Sequence, residues 1–271
     1  MTDDLNPQAR QMADESMVRN LAAQAQAIWP QEVELIRRYG IAEEARILDA
    51  GCGPGEAAAR LARLFPRASV LGVDIIESHL ERGRALHASL PTLRFENRSI
   101  FGLGLPERTF DLTVCRHVLQ SIPHPEKAVA ELVRVTRRGG RIHLIAEDYG
   151  MIHIERRRLD PALFWSEAPA RFGAATGTDM FVGRNAYSIL RKLGLSAITI
   201  NYVIVDTLRV PREIFAAIWE AWRDGYSEVI AEHTRFTREE VVAHFDDQIA
   251  TIRDPDGYAL WMLPVLGAVV P

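Results

Sequence analysis

The first half of the chain alternates between short apolar segments and amphipathic segments. Apolar side chains between Val18 and Trp29 recur at helical spacing, which predicts one helix, and Pro30 is expected to open a second helix, Gln31–Tyr39, that Gly40 ends. From residue 46 to residue 146, strand and helix patterns take turns. The predicted strands are Arg46–Asp49, Ser69–Asp74, Leu93–Asn97, Phe110–Cys115 and Arg141–Ala146, and the predicted helices are Glu56–Leu64, Ser78–Leu90 and Glu126–Val135. This alternation predicts an α/β fold with a Rossmann-like, mostly parallel sheet and helices on both faces.

The regular alternation loosens beyond Asp148. We expect a loop or short helices over residues 150–178, and the later predicted elements are a helix near Gly183–Leu193, a strand at Ile198–Val205 and a last strand at Tyr258–Leu263. That last strand is expected to end or bulge at Pro264, because proline has no N–H to donate within a central strand.

A helical lid is predicted before the last strand. Apolar and aromatic side chains from Phe215 to Val229 form one helical stripe. Thr237 and Glu240 have the spacing of a capping box, and Phe236 and Val241 can close a hydrophobic staple around it. The chain therefore predicts a second helix of the lid after residue 237.

Composition excludes several classes of function. The chain has 271 residues with 32 basic and 36 acidic side chains, a net charge of −4, so nucleic-acid and membrane-surface partners are not expected. Cys52 and Cys115 have no CxxC or CxxH companion, which predicts neither a disulfide framework nor a zinc site and fits the cytoplasm. The start, Met1 to Pro7, lacks the features of a secretory signal, and the longest apolar run, 259–270, is too short to span a bilayer.

A glycine-rich loop follows the first predicted strand. The strand ends at Asp49, and Gly51, Gly53 and Gly55 then lead into a helix. Asp74 ends the second strand, where an acid can accept hydrogen bonds from the two hydroxyls of an adenosine ribose. In an open parallel sheet such a loop lets a cofactor approach the backbone at the carboxyl ends of the strands.

The loop differs from the dinucleotide fingerprint. Glu56 stands where the third glycine of G-x-G-x-x-G is expected, and Asp49 and Glu56 bracket the loop with two carboxylates. A pyrophosphate favours a helix N-terminus without competing negative charge, so NAD is not expected. A cofactor that carries an adenosine, a sulfonium and an ammonium group suits these charges better.

The segment from Arg46 to about Asp148 resembles the class I S-adenosylmethionine-dependent methyltransferases, especially their small-molecule group. The glycine motif, Asp74, the Phe110 to Leu119 segment and the Gly139-Gly140 turn carry the resemblance. The family often has an acid where Ser99 stands and a second histidine where Ser121 stands. The resemblance implies one methyltransferase-like domain over residues 1–271, with N-terminal cap helices in 1–45, a cofactor-binding core in 46–149 and a substrate side in 150–271.

The resemblance also implies which residues bind S-adenosylmethionine. Gly51 and Gly53 would cradle its amino-acid part, Asp49 would accept from its ammonium group, and Asp74 would hold the ribose. The other expected cofactor contacts are Gly55, Ile75, Ser99, Ile100 and Arg116.

Candidate catalytic groups follow the fourth and fifth strands. His117 or His153 is a candidate general base if the acceptor must lose a proton, and Arg116 and His117 can equally contact the cofactor or cap the strand. Glu147, Tyr149 and Trp222 are candidate substrate contacts. No metal site is expected, because no acid or histidine cluster has ligand spacing.

The function predicted is transfer of a methyl group from S-adenosylmethionine to oxygen, nitrogen or carbon of a small, partly apolar metabolite, by in-line displacement. Two alternatives stay open: a protein that binds S-adenosylmethionine without methyl transfer, and an enzyme that uses the sulfonium for other chemistry, such as cyclisation. The oligomeric state is open, with a homodimer as one alternative.

Overall fold

One eight-stranded sheet runs through the computed structural model, which describes residues 5–271. Residues 1–4, which belong to the stretch in which no secretory signal is expected, lie outside the described residues. The strands are β1 (Arg46–Ala50), β2 (Ser69–Asp74), β3 (Leu93–Asn97), β4 (Phe110–Arg116), β5 (Thr136–Ile145), β6 (Ile152–Ile154), β7 (Ser196–Asp206) and β8 (Ala259–Val269). The helices are α1 (Ala9–Met12), α2 (Glu15–Arg37), α3 (Glu56–Leu64), α4 (Glu77–Leu86), α5 (Pro125–Val135), α6 (Pro161–Thr176), α7 (Gly183–Lys192), α8 (Arg212–His233) and α9 (Arg238–Arg253).

The strand order is β3-β2-β1-β4-β5-β8-β6, with β7 paired to the other edge of β8. Strands β1 to β5 are mutually parallel, whereas β8 is antiparallel to β5, β6 and β7. The prediction of an α/β fold with a mostly parallel sheet is confirmed. The carboxyl ends of β1, β2, β4 and β5 therefore meet at one edge.

Both faces of the sheet are buried by helices. Successive side chains of a strand point to opposite faces, so Ile47 of β1 packs in a cluster with Leu61 of α3, while Leu48 packs in a cluster with Leu132 of α5. A third cluster joins α2, α6, α8 and α9 to β7 and β8. This third cluster packs the predicted helical lid, which is α8 and α9, against the sheet. The predicted capping box at Thr237 and Glu240 is present at the start of α9.

Two predicted breaks at proline are wrong. Pro30 lies inside the single helix α2; its ring is exposed, and the carbonyl of Gln26 that loses its partner belongs to an exposed residue, so water can replace the lost hydrogen bond. Strand β8 continues through Pro264, whose carbonyl accepts from the Ala146 amide at 3.2 Å. In an extended strand the N–H and the carbonyl of one residue point to the same side. At Pro264 this is the side on which β8 changes its partner from β6 to β5, so the missing N–H costs no hydrogen bond between strands.

Two other boundaries also differ from the prediction. Residues 161–176 form the helix α6, which Asp160 caps through the Ala162 amide, instead of a loop or short helices. Strand β5 begins at Thr136, before the predicted Gly139-Gly140 turn, because a register shift between Phe110 and Leu112 lets β4 pair with the earlier residues. Neither difference moves the carboxyl edge of the sheet.

Candidate active site

The loop between β1 and α3 requires its glycines. Gly51, Gly53 and Gly55 have φ of +73°, +52° and +87°, a region that other residues rarely adopt. A Cβ at Gly51 would collide with the side chain of Val118, and the Gly51 amide donates to the carbonyl of Val73 at 2.8 Å. The loop is therefore held close against the ends of β2 and β4.

Asp74 fastens the same loop from β2. Its carboxylate accepts from the amide of Gly53 at 2.8 Å and from the amide of Ile76 at 2.9 Å. An ionised carboxylate has about four acceptor positions, so Asp74 can accept further hydrogen bonds from the cleft that it lines.

A cleft of about 690 Å³ opens at this edge of the sheet. Six of the predicted cofactor residues line it: Gly51, Gly53, Asp74, Ile75, Ile100 and Arg116. Ser99 and Gly55 are not among its lining residues. The Ser99 hydroxyl accepts from the Phe101 amide at 3.3 Å within a local turn, and Gly55 packs against the ring of Phe95, where a Cβ would clash.

Sequence reasoning missed several lining residues. They include Gln8, Met12 and Leu21 from the N-terminal helices and the segment before them, and His79, Arg98, Val118 and Ile122 from the core. The helices α1 and α2 cover the cleft from a distance in sequence, and no local motif signals that packing.

Asp49 lies in a recess beside the cleft, together with Gly51 and Gln24. Both acceptor side chains are buried, and Asp49 Oδ2 and Gln24 Oε1 have no hydrogen-bond partner. Burial raises the pKa of Asp49 to about 7, although the nearby guanidinium of Arg116 partly opposes this shift. The recess thus presents unpaired acceptors in which a cation would stabilise the ionised form of Asp49.

A buried network lies behind the recess. Glu32 Oε1 is 2.8 Å from Nε of Arg116 and 3.1 Å from Nε2 of His143, and the hydroxyl of Tyr39 is 2.8 Å from Nδ1 of His143. Burial alone would raise the pKa of Glu32, but the charge of Arg116 and the hydrogen bond from His143 outweigh it and lower the pKa to about 2. Arg116 lines the cleft while its charge is balanced by Glu32.

His117 follows β4 in an unusual backbone conformation. Its φ is +57°, and it is the one buried residue among the four non-glycine residues with positive φ in residues 5–271. Nδ1 of His117 lies 2.5 Å from Oε1 of Glu147, while Nε2 has no hydrogen-bond partner. Because Glu147 accepts the Nδ1 proton, Nε2 is the free acceptor of the ring. Strained backbone at a cleft is typical of functional residues.

A second cavity adjoins the cleft and shares His117, Met12, Leu21 and Ser121 with it. All three predicted substrate contacts, Glu147, Tyr149 and Trp222, line this cavity. An aromatic recess of about 430 Å³ lies next to it and shares the lining residues Tyr149, Trp222 and Tyr226. His153 is exposed on β6 and lines none of these cavities. The structure thus brings His117, and not His153, to the cleft.

Neither metal ligands nor membrane spans emerge from the described chain. Within residues 5–271, no three or more His, Cys, Asp and Glu side chains are grouped so that they could hold a metal ion. Over the same residues, no helix has the length and apolar content needed to cross a membrane.

Comparison with known proteins shows a likeness to methyltransferases. The model of the methyltransferase domain matches residues 48–144. Trans-aconitate 2-methyltransferase of Deinococcus radiodurans is 34% identical over 58% of this chain and 60% of its own length. The enzyme of the same name from Variovorax paradoxus is 36% identical over 40% of each chain. The chain spans 40–45% of the length of the first curated relatives that it matches.

Solved structures give the fold over most of the chain. Phosphoethanolamine N-methyltransferase 2 of Haemonchus contortus, solved with phosphomonomethylethanolamine and S-adenosylhomocysteine, has a TM-score of 0.58 and 19% identity. That likeness covers 90% of this chain and 53% of the other.

Proposed function

We propose that this chain, whose residues 48–144 form a class I methyltransferase domain, transfers a methyl group from S-adenosylmethionine to a small, partly apolar molecule. The observation that carries the proposal is the meeting of two half-sites at one edge of the sheet. The glycine loop with Asp49 and Asp74 forms one half, and the paired His117 and Glu147 form the other.

The residues present fit S-adenosylmethionine. The unpaired acceptors Asp49 Oδ2 and Gln24 Oε1 suit its ammonium group, and Gly51 leaves the backbone accessible beside them. Asp74 can accept from the ribose hydroxyls, and Ile75 and Ile100 offer apolar surface to adenine. When bound there, S-adenosylmethionine supplies an electrophilic methyl group on a sulfonium.

The chain's own residues then align the acceptor, exclude water and move a proton. His117 lines both cavities, and its Nε2, which has no hydrogen-bond partner, can accept a proton from the acceptor. A hydrogen bond from Nδ1 to Glu147 holds the ring in the tautomer that leaves Nε2 free. Helices α1 and α2 contribute Met12 and Leu21 to the walls between cofactor and acceptor. Alignment in a closed cavity supplies much of the acceleration of an in-line displacement.

We also propose that residues 5–271 act as one domain. The hydrophobic cluster under the helical lid contains Met17 of α2, Ile145 of β5 and Trp219 of α8. The N-terminal helices, the cofactor-binding core and the lid therefore share one hydrophobic core. The cytoplasmic location and the lack of nucleic-acid and membrane partners stay predictions from the sequence.

Calorimetry tests the cofactor, and product analysis tests the chemistry. We expect S-adenosylmethionine and S-adenosylhomocysteine to bind and NAD not to bind. Formation of S-adenosylhomocysteine together with a methylated product supports transfer. Binding without turnover of any acceptor would favour the binding-protein alternative, and an adenosyl product other than S-adenosylhomocysteine would favour other sulfonium chemistry. Preferential binding of NAD would contradict the proposal.

A further inference from the structure

The cavity beside His117 contains several buried acceptors that lack a hydrogen-bond partner. Asn20 Oδ1, Gln120 Oε1 and Glu147 Oε2 are unpaired, and the three residues are 4%, 5% and 1% exposed. Nε2 of His117 is unpaired in the same cavity. Oε1 of Gln24, which also lines this cavity, is unpaired as well. Leaving buried polar groups unpaired is costly, so these five atoms point to a bound molecule that satisfies them.

The donors of these same side chains are already used. Nε2 of Gln120 donates to the carbonyl of His117 at 2.8 Å, which fixes the amide with its oxygen as the free atom. Nδ2 of Asn20 contacts Sδ of Met17 at 3.8 Å, and Nδ1 of His117 donates to Glu147 at 2.5 Å. The cavity therefore offers acceptors and calls for a ligand rich in N–H donors.

The charge of the cavity points the same way. Among the described residues, neither lysine nor arginine lines the cavity or the aromatic recess, and Glu147 contributes a carboxylate. Arg116 lines the neighbouring cleft, where Glu32 balances its charge, although Nε and Nη2 of Arg116 make no hydrogen bond. A ligand carboxylate or phosphate buried beside Glu147 would lack a countercharge, which is costly in a desolvated site.

Aromatic side chains indicate the shape of the rest of the ligand. The cavity and the aromatic recess share Tyr149, Trp222 and Tyr226, and the other residues of the aromatic recess are apolar and include Phe172 and Phe245. Rings in such a wall accommodate a flat apolar body, and the face of Trp222 can also attract a cation.

We propose that the acceptor is a primary or secondary amine with an apolar, ring-sized body. This inference rests on the proposed function and narrows its substrate class. The ammonium form of a primary amine donates up to three hydrogen bonds, one to Nε2 of His117 and the others to acceptors such as Glu147 and Gln120, whereas a hydroxyl donates one. His117 Nε2 takes one proton from the ammonium; the freed lone pair forms the N–C bond as the C–S bond breaks, and the electron pair of that bond passes to sulfur, which gives the methylated ammonium and a thioether.

Binding to matched probes tests the inference without turnover. Titration calorimetry in the presence of saturating S-adenosylhomocysteine compares three molecules: 2-phenylethylamine, 2-phenylethanol and 3-phenylpropanoate. We expect the amine to bind at least tenfold more tightly than the alcohol, and the carboxylate more weakly than either. In Glu147→Gln the preference of amine over alcohol should fall at least tenfold, whereas the exposed Glu228→Gln on α8 makes the same charge change and should leave that preference unchanged.

The outcomes separate the two proposals. If S-adenosylhomocysteine does not bind the parent protein, the proposed function fails. If it binds and the alcohol or the carboxylate is preferred, or no probe binds at millimolar concentration, the amine inference is wrong while the cofactor assignment stands. If Glu147→Gln binds S-adenosylhomocysteine normally and keeps the full preference for the amine, Glu147 does not recognise the amino group and the inference is overturned.

Discussion

Arg116 and Glu32 form a buried ion pair, with 2.8 Å between Nε and Oε1, that joins the end of β4 to the C-terminal half of α2. The pair holds the helix that covers the cleft against the strand that His117 follows. Removing one partner of such a pair leaves the other charge buried without compensation.

We therefore expect Glu32→Gln to lower the free energy of unfolding by about 3–5 kcal/mol. Denaturant unfolding followed by circular dichroism measures this change. Glu34→Gln is the matched control on the same helix, because the pair between Glu34 and Arg37 is exposed and such pairs contribute about 0–1 kcal/mol. Equal stability of the two variants would contradict the role assigned to the buried pair.

Cofactor affinity should depend on pH through Asp49. The pKa of Asp49 is about 7 in the free protein, raised chiefly by burial, with Arg116 opposing the shift and Glu32 and Asp74 adding to it. An ammonium group beside Asp49 favours the carboxylate, so binding releases a proton below pH 7. We expect the affinity for S-adenosylmethionine to rise by up to about tenfold per pH unit as pH approaches 7 from below, and then to level off.

Asp49→Asn checks the assignment of that pH dependence. Calorimetry should show weaker binding by the variant and a flat profile between about pH 5.5 and 7.5. The same group affects the stability of the free protein with the opposite sign. Its folded pKa lies above the unfolded value of 3.8, so the folded state holds the proton more tightly and this contribution to the free energy of unfolding falls as pH rises from about 4 to 7. A parent-like pH profile in the variant would show that another group governs binding.

Asp74 should contribute to cofactor binding more than to the fold. Asp74→Ala removes a carboxylate that holds the Gly53 and Ile76 amides and lines the cleft. We expect affinity for S-adenosylmethionine to fall by about 1–3 kcal/mol, the range for lost charge-assisted hydrogen bonds. Glu81→Ala, at an exposed position on the neighbouring helix α4, is the control, and unchanged affinity in Asp74→Ala would remove Asp74 from the ribose site.

Short sequence motifs predict one half of the site, the glycine loop with Asp49 and Asp74. Gly51 and Gly53 follow β1, and Asp74 ends β2; the parallel pairing of the two strands brings their carboxyl ends together. The contact between His117 and Glu147 needs more information: the register that places Arg116 beside Ile145, and the left-handed backbone at His117 that turns the ring toward β5. Each residue was a candidate on its own, but no spacing in the sequence pairs them.

Tertiary packing also decided the elements that sequence patterns placed wrongly. A proline breaks a helix chiefly where the lost hydrogen bond cannot be replaced, and the exposed position of Pro30 on α2 is not evident from the apolar stripe between Val18 and Trp29. The residues Asn20 and Gln120 carry no motif. They become candidates only when α2 and the turn after β4 bring their side chains into one cavity with Glu147.

Methyl transfer should need His117 and no added divalent metal. His117 lines the cavities and its Nε2 has no hydrogen-bond partner, whereas His153 is exposed on β6 and lines none of them. With an acceptor that must lose a proton, we expect His117→Gln to lower kcat by about a hundredfold to ten-thousandfold, and His153→Gln to leave it within about twofold.

Displacement at a sulfonium creates no charge that requires a Lewis acid, so a chelator should leave kcat unchanged. Steady-state rates, measured with and without chelator for the parent and both variants, check each part: abolition by chelator with recovery on adding magnesium would overturn the metal-free mechanism. Full activity of His117→Gln would leave alignment by Glu147, Gln120 and the aromatic wall as the source of the acceleration.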